Sequence, residues 1–459
     1  MRLLAWSALC CCLCLTPAWA EPELIESKPT TLVYPPFWHT PFGIHRGTPE
    51  LLALFIGQRT VLDHPEDLAC QLLLTRGSDQ EAGPEFLLTI AGANTGRGNL
   101  IYNPDLFHLE VIGGSQPPGA PTGVALRADG TLFVADPARR QIFIFTPKDR
   151  RLEPAGQLEA PPDGWNQPWG LALDSQNRLY ATDRGLDRIV IYDPEGRWLE
   201  TLGPQLPAGE RLQGPTAIAV ADSRETWSFY HDDYIFVCDR EGTRLLRLDP
   251  RGHVQRSLTL DQMPPENRPH SLAWMDLDFY ENLWVTDPAL SRLHKFDRHL
   301  RYLAAFGEPG QGDGRFIHPT GIAIHRHFGQ VFVAEAGGAH YFWIGADIQQ
   351  ARATRHPAVP GLLEVTFWLT EPAWMTVIAQ PDRSPKTVEL CRKQWLDSGA
   401  HLIPWRLPEA ARGARLELIA EATYSSASYF AKRVFLTVPP QEQPADEQPP
   451  QPATVSPSP

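Results

Sequence analysis

Six proline-led segments recur along this chain, and this repeat constrains the fold more than any other feature. In each segment a proline opens a short apolar run, and a second run follows that usually ends in an acidic residue. The prolines are Pro65, Pro121, Pro168, Pro215, Pro269 and Pro319, spaced 56, 47, 47, 54 and 50 residues apart. Self-similarity at this period is typical of repeat architectures, in which one unit cannot bury its apolar face alone.

Each repeat contains enough β-rich segments for four strands. The clearest copies, residues 121–136 and 168–183, hold two such runs separated by a polar turn, with Asp129 and Gly130 supplying a tight hairpin in the first. A third strand follows at 189–192 and a fourth at 198–203. Four antiparallel strands per unit predict an all-β fold, a six-bladed β-propeller.

The last repeat has three strands and no obvious fourth. An apolar run at 51–57 matches the fourth-strand type and precedes the first proline. We therefore expect a closing strand at about 48–57 that completes the last blade, because closure removes the exposed edges of an open sheet. The propeller domain is predicted to span residues 21–350.

The repeat resembles that of the NHL family, whose units carry proline, glycine and alanine in the first strand and an acidic residue after the second. The matching positions are Pro121, Gly123, Ala125 and Asp136 in one copy, Pro168, Gly170, Ala172 and Asp183 in the next, and Pro319, Gly321, Ala323 and Glu335 in a third. The resemblance covers roughly residues 48–345 and implies the propeller fold without specifying a function.

The remainder of the chain divides into a second domain and a tail. Residues 351–438 contain short alternating strands, which predict a small β-sandwich. The stretches 370–377 and 397–405 are similar to the immunoglobulin-like domain of the flagellar hook-capping protein, a module found in many exported bacterial proteins. Residues 439–459 are proline-rich and polar, which predicts a disordered, extended tail.

The N-terminus has the pattern of an export signal. Arg2 precedes an apolar stretch, and Ala18 and Ala20 form a small-x-small cleavage site. We expect residues 1–20 to be a signal peptide removed after Ala20, so the mature protein would be periplasmic or secreted. No other run is long enough to predict a transmembrane segment.

Charge and cysteine content limit the partners. The formal net charge is −13, and an acidic protein is poorly suited to nucleic acid, whose binding depends on basic surface. A protein or polysaccharide partner remains open, as does the oligomeric state. Export would leave Cys70, Cys238 and Cys391, too few for a disulfide framework, and we interpret them as core residues.

In a propeller the loops that enter the first strands, and the turns after the second strands, meet at one face. The predicted ligand-binding residues on that face are Trp165, Asn166, Trp169, Arg268, His270 and His318. The acidic residues that end the second strands are Asp136, Asp183, Asp239, Asp287 and Glu335. Such a ring could hold a divalent cation, but its repetition favours a structural role for each residue in its own turn.

Two propeller enzyme families provide alternatives. Peptidylglycine amidating lyases bind zinc through histidines after the first-strand proline of several blades, and here only His270 follows a proline in this way. His318 lies nearby in sequence, whereas His325 is expected at the far end of its strand. Gluconolactonase-type propellers hold calcium in the channel, which the repeat alone leaves open.

The sequence therefore predicts an exported, non-enzymatic NHL-repeat propeller that acts as a binding or scaffold module for a protein or glycan. No catalytic residue, metal ligand or resident cofactor is assigned, apart from the divalent cation considered above. The alternative is a metal-dependent propeller enzyme, similar to the amidating lyases or the lactonases.

Overall fold

The computed structural model describes residues 23–25, 28–40, 44–56, 62–75, 85–113, 118–148, 151–381, 386–406, 414–424 and 429–438. The predicted signal peptide and the predicted tail lie outside these residues. The N-terminal part consists of β1 (Glu23–Ile25), β2 (Leu32–Val33), β3 (Arg46–Gly47) and α1 (Pro49–Ile56). Short 3-10 helices occupy Phe37–His39, Thr95–Arg97, Arg240–Gly242, Leu260–Gln262 and Pro265–Asn267.

Six antiparallel sheets follow, five of them with four strands in chain order. Sheet one contains β4 (Pro65–Thr75), β5 (Glu85–Asn94), β6 (Asn99–Asn103) and β7 (Glu110–Gly113). Sheet two contains β8 (Val124–Leu126), β9 (Leu132–Asp136), β10 (Gln141–Lys148) and β11 (Arg151–Gln157). Sheet three contains β12 (Pro168–Leu173), β13 (Leu179–Asp183), β14 (Arg188–Tyr192) and β15 (Trp198–Leu202).

Sheet four contains β16 (Ile218–Ala221), β17 (Tyr234–Asp239), β18 (Arg244–Leu248) and β19 (Val254–Thr259). Sheet five contains β20 (Met275–Leu277), β21 (Leu283–Asp287), β22 (Arg292–Phe296) and β23 (Tyr302–Phe306). A short parallel pair follows, β24 (Glu308–Pro309) and β25 (Arg315–Phe316). Sheet six contains β26 (Ile322–His325), β27 (Gln330–Glu335) and β28 (Gly338–Ile344).

The first strands of the six sheets form a closed ring. Strand β4 contacts β8, and the series continues through β12, β16, β20 and β26, which contacts β4 again. The second strands β13, β17 and β21 are buried along their whole length, because each is covered on both faces by neighbouring sheets. The predicted all-β propeller fold is confirmed.

The predicted closing strand at 48–57 is wrong. Residues Pro49–Ile56 form α1 instead, because a proline suits the first helical turn and the Thr48 hydroxyl accepts the N–H of Leu51, at 3.4 Å. Periodicity alone does not separate a short apolar helix from a buried strand. Sheet six is completed by two other N-terminal segments, since β2 and β3 both pair antiparallel with β28.

The C-terminal part is a β-sandwich. One sheet contains β29 (Ile348–Arg355), β30 (Leu362–Leu369) and β33 (Gly399–Arg406). The other contains β31 (Ala373–Gln380), β32 (Val388–Leu396), β34 (Arg415–Ala422) and β35 (Phe430–Thr437), with β1 added at its edge. Alternate residues of β30 and β34 are buried in a shared apolar core, as a two-layer packing requires. The immunoglobulin-like resemblance stays a prediction.

A buried ionic cluster joins the propeller to the sandwich. The Lys295 ammonium pairs with Glu371 of the sandwich and lies 3.3 Å from a carboxylate oxygen of Asp278, and all three side chains are at most 1% exposed. The Trp368 indole N–H also donates to the carbonyl oxygen of Leu303, at 2.7 Å. These contacts fix the sandwich against sheet five. Among the described residues, no helix combines the length and apolar character needed to cross a bilayer.

Candidate functional site

The propeller channel has two different ends. We call the end where the first strands begin the start end, and the end where they turn into the second strands the turn end. The six residues predicted to bind a ligand belong to the start end, because they precede or open the first strands. The cavity described below opens at the turn end.

At the start end, the second strand of each of sheets two to six ends in an acidic residue. Asp136, Asp183, Asp239, Asp287 and Glu335 end the second strands and are at most 2% exposed. Each accepts a backbone N–H from the segment that leads into its own sheet, donated by Gly119, Gln167, Gln213, His270 and Ile317, at 2.6–3.0 Å. The side chains that pair with them are Arg139, Arg188, Arg244, His294, and Arg46 with His340.

These carboxylates act separately, each within one sheet. Burial alone would raise the pKa of Asp287, but hydrogen bonds from His294 and from backbone N–H groups hold it below its usual value. Among the described residues, no group of three or more His, Cys, Asp or Glu side chains could hold a metal ion. The repeated acidic residue therefore clamps the turn to the incoming loop, which is the structural role that its repetition favoured.

The start end is also narrow. A Cβ atom added at Gly123 would lie 2.2 Å from the carbonyl oxygen of Trp169, and one at Gly170 would lie 2.2 Å from that of Thr216. Glycine is therefore needed where adjacent first strands approach closely. Trp274 stands at the matching position of sheet five, and its indole N–H donates to the Glu66 carboxylate at 3.0 Å. Trp274 also lines the cavity, so this one side chain contacts both the cavity and the Glu66 carboxylate at the start end.

The structure places the predicted ligand-binding residues around the start end without bringing them together in a cavity. Trp165 is 6% exposed within the core between sheets two and three, and the Arg184 guanidinium lies 5.0 Å from the Trp169 ring. Arg268 donates to the carbonyl oxygens of Asp261 and Met263. Asn166 is half-buried, and His270 and His318 are exposed. None of the six residues lines the turn-end cavity.

The register assumed for His270 is wrong by three residues. In sheets two, four and six, the residue after the proline donates its N–H to the second strand, as Thr122 does to Ala135. In sheet five Ala273 makes this bond, to Thr286, so Leu272 stands where the other sheets have proline. His270 therefore lies in the incoming loop and does not occupy the position of the zinc-binding histidines.

The turn-end cavity has a volume of about 550 Å³ and is lined by the first strands of all six sheets. At one register position these strands carry Ala69, Ala125, Ala172, Ala219, Asp276 and Ala323. The single exception, Asp276, faces the cavity together with Asp67 and Arg326. Correct alignment of sheet five would have shown this exception in the sequence, but its proline-based alignment concealed it.

Asp276 is fixed and electrostatically unusual. Its two carboxylate oxygens accept the N–H groups of Leu277 and Ile324, both at 2.7 Å. Burial raises the pKa of Asp276, while the positive charge of Arg326 lowers it by a smaller amount. The carboxyl group is therefore partly protonated at a higher pH than an exposed aspartate.

Asp67 and Cys70 share this environment. Burial raises the pKa of Asp67 well above its usual value, hydrogen bonds from Val124 and Leu68 oppose this, and the charge of Asp276 raises it further. Burial and Asp276 also raise the pKa of the Cys70 thiol, which Arg326 opposes. Arg326 lines the same cavity, and its guanidinium donates to the carbonyl oxygen of Val220 at 3.2 Å.

His325 adds a neutral imidazole to the cavity wall. Burial lowers the pKa of His325 to about 4. Its Nδ1 lies 3.1 Å from Gln330 Oε1, and the Gln330 amide nitrogen donates to the Tyr341 hydroxyl at 2.6 Å. Because the Gln330 oxygen must accept, Nδ1 carries the proton and Nε2 is left as an acceptor.

A long loop forms one side of the cavity mouth. It runs from residue 222 to 233 between β16 and β17, and it carries Trp227 across to His327 of sheet six, with ring centroids 3.4 Å apart. The sandwich holds the same loop, since the Tyr230 hydroxyl donates to Asp397 at 3.3 Å and Phe229 stacks on Trp395. The C-terminal domain therefore positions part of the cavity mouth.

Comparisons with known proteins return propellers among the solved structures. A streptogramin B lyase is 14% identical with a TM-score of 0.40, covering 62% of this chain and 96% of its own. A virginiamycin B lyase from Staphylococcus aureus is 14% identical with a TM-score of 0.39, covering 60% and 99%. A gluconolactonase from Xanthomonas campestris is 13% identical with a TM-score of 0.43, covering 69% and 99%. No protein-family model and no curated protein matches the chain.

The predicted non-enzymatic binding or scaffold function is wrong on this comparison. The solved propellers to which this chain is similar are named as lyases and gluconolactonases. These names agree better with the alternative, a propeller enzyme. At 12–14% identity the likeness itself extends to the fold alone.

Proposed function

We propose that this six-sheet propeller is an enzyme that opens a small ester or lactone in the turn-end cavity by acid–base chemistry. The observation that carries the proposal is Asp276, a half-buried carboxyl group with a raised pKa, which lines the same cavity of about 550 Å³ as Arg326. A cavity of this volume suits a small-molecule substrate.

Each polar group at the cavity supplies one requirement of the reaction. Arg326 stabilises the negative charge that develops on the substrate carbonyl oxygen. Asp276, protonated at a higher pH than usual, donates a proton to the departing alkoxide oxygen. His325 stays neutral near pH 7 and offers Nε2 as the base, which removes a proton from water or from the substrate.

The test uses purified full-length protein and two probes taken from the comparisons, glucono-lactone and the streptogramin quinupristin. Ring opening is followed by pH-stat titration and by mass spectrometry, with the spontaneous rate subtracted. We expect Asp276→Asn to lower kcat/KM by about 100-fold or more, because a positioned acid contributes about 10²–10⁴-fold.

Asp193→Asn is the matched control. Asp193 also accepts two backbone N–H groups, from Glu195 and Arg197, but it lies outside the cavity. Its substitution should leave kcat/KM unchanged. Lack of turnover of both probes by the wild type, or full activity of Asp276→Asn, contradicts the proposal.

We also propose that the repeat is of the NHL type, that the sandwich is immunoglobulin-like and that the protein is exported. The shared proline, glycine and alanine positions of sheets two, three and six support the first point, and the two-layer packing of the C-terminal strands supports the second. The cleavage pattern at Ala18 and Ala20 supports export. N-terminal sequencing of the protein purified from its native host tests the cleavage site.

A further inference from the structure

A strongly basic cleft lies on the outer flank of sheets four and five, away from the channel. It has a volume of about 360 Å³ and is lined by Arg247, Gln255, Arg256, His299 and Arg301. We call it the basic cleft. Arg247 and Arg256 belong to β18 and β19, while His299 and Arg301 come from the turn between β22 and β23. The chain as a whole carries a net charge of −13, so this concentration of positive charge is exceptional.

Two of these arginines face each other directly. Arg247 and Arg256 are Cα partners in the antiparallel pairing of β18 and β19. Like charges at directly opposed positions of an antiparallel pair destabilise the sheet. Within the part of the chain that the structure describes, neither arginine forms an ion pair with a carboxylate. The repulsion between them is therefore not relieved by the protein itself.

Local geometry holds Arg247 in place. Gln255 is the extra residue of a bulge between β18 and β19, and its side-chain oxygen accepts a hydrogen bond from Arg247. The Arg247 guanidinium also lies 4.2 Å from the centre of the Tyr234 ring. Its Nε is buried and has no hydrogen-bond acceptor among the described residues. A fixed, partly unsatisfied guanidinium is well suited to a planar or tetrahedral oxyanion.

The opposite wall of the cleft carries His299 and Arg301. Arg301 Nε lies 2.6 Å from the Asp297 carboxylate, which compensates the single positive charge of Arg301. Burial lowers the pKa of His299, and the positive charges of Arg298, Arg247 and Arg301 lower it further, against the opposing effect of Asp297. Among the described residues, the positive charge of the cleft that no carboxylate compensates is therefore that of Arg247 and Arg256.

We propose that the basic cleft binds a phosphate or sulfate group. The group is held between Arg247 and Arg256, whose mutual repulsion it neutralises, with Arg301 at the rim. A free anion and an anionic group on a polymer offer the same chemistry to these side chains. The site is separate from the turn-end cavity and does not depend on the function proposed for it.

The test measures thermal unfolding and calorimetric binding of the full chain at constant ionic strength, with inorganic phosphate replacing chloride. Phosphate should raise the Tm of the wild type, because a ligand that binds the folded state stabilises it. Arg256→Gln should lose this rise and bind phosphate at least about tenfold more weakly. In chloride alone the same variant should melt slightly above the wild type, because the Arg247–Arg256 repulsion is relieved.

Arg197→Gln is the matched control, since Arg197 pairs with Asp193 in sheet three as Arg301 pairs with Asp297 in sheet five. It should keep the full response to phosphate. Dextran sulfate distinguishes the sources: binding more than tenfold tighter per sulfate than that of free phosphate indicates a polymer, and equal binding indicates a small anion. No stabilisation of the wild type by either probe, or an unchanged response of Arg256→Gln, overturns the proposal.

Discussion

The two ends of the propeller channel come from the same repeat but differ in which residues are conserved from sheet to sheet within it. At the start end the repeated residues do the same thing in sheets two to six: a carboxylate closes each turn, and glycines allow the strands to meet. At the turn end the residues that matter are exceptions to the repeat, above all Asp276 among five alanines. Residues that recur from repeat to repeat therefore stabilise the fold, and residues that depart from the repeat form the candidate site.

The physical basis of this contrast is the set of hydrogen-bond donors and positive charges that surrounds each carboxylate. At the start end, hydrogen bonds from side chains and backbone N–H groups hold the pKa of Asp287 and Glu335 below the usual values. Asp67 is buried and Asp276 half-buried, both have backbone N–H groups as hydrogen-bond donors, and loss of hydration raises the pKa of both. A group that is costly to bury in charged form is more often functional than structural.

The largest expected effect is on stability, from removal of one acidic residue at the end of a second strand. Asp239→Ala leaves Arg244 buried without its partner, and breaking such a pair costs about 3–5 kcal/mol. Urea titration should show this loss in the free energy of unfolding, whereas Asp193→Ala, in an exposed turn, should change it far less. A loss of catalytic activity per folded molecule in Asp239→Ala would instead assign the start end to the chemistry.

The next prediction compares the two ends by activity. Arg326→Gln should lower kcat/KM for the active probe by about 100-fold, the usual cost of removing a group that stabilises an oxyanion. His270→Ala and His318→Ala, at the start end, should change it by less than about twofold, since both side chains are exposed surface positions. The reverse result would move the site to the face predicted from sequence.

The smallest effect is the pH dependence of stability, which should have opposite signs at the two ends. The raised pKa of Asp276 means that its ionisation disfavours the folded state, so the contribution of Asp276 to the free energy of unfolding falls as pH rises above about 4, the ordinary value. Asp276→Asn removes this penalty, and its Tm relative to the wild type should increase from pH 4 to pH 7.5.

Asp287 should behave in the opposite way. Its lowered pKa means that it contributes stability at neutral pH, and that this contribution is lost as pH falls below about 4. The Tm deficit of Asp287→Asn should therefore be largest near pH 7 and shrink in acid. Parallel pH profiles for the two variants would show that the two carboxylates are not compensated differently.

Much of the propeller fold could be predicted because its strands and turns follow from the local pattern of apolar, acidic and turn-forming residues. Buried strands such as Leu179–Asp183 combine apolar residues with a terminal acid, and their spacing is regular. The segment 49–56 was assigned wrongly because an apolar run of this length suits a helix or a strand equally well, and Thr48 with Pro49 decides for the helix. The candidate site was missed because one misaligned repeat, at Pro269, hid the exception at Asp276.

The sequence by itself determined the architecture, since a repeat whose units cannot bury their apolar faces alone must stack into a larger sheet assembly. It also determined the acidic residues that end the second strands, because the same turn and the same acidic position recur together. Only the tertiary structure decided that the cavity lies at the turn end, and that Trp274 of sheet five reaches Glu66 of sheet one. Asp276 belongs to sheet five, and His325 and Arg326 belong to sheet six and the turn after its first strand, so only the packed sheets bring the three residues to one cavity.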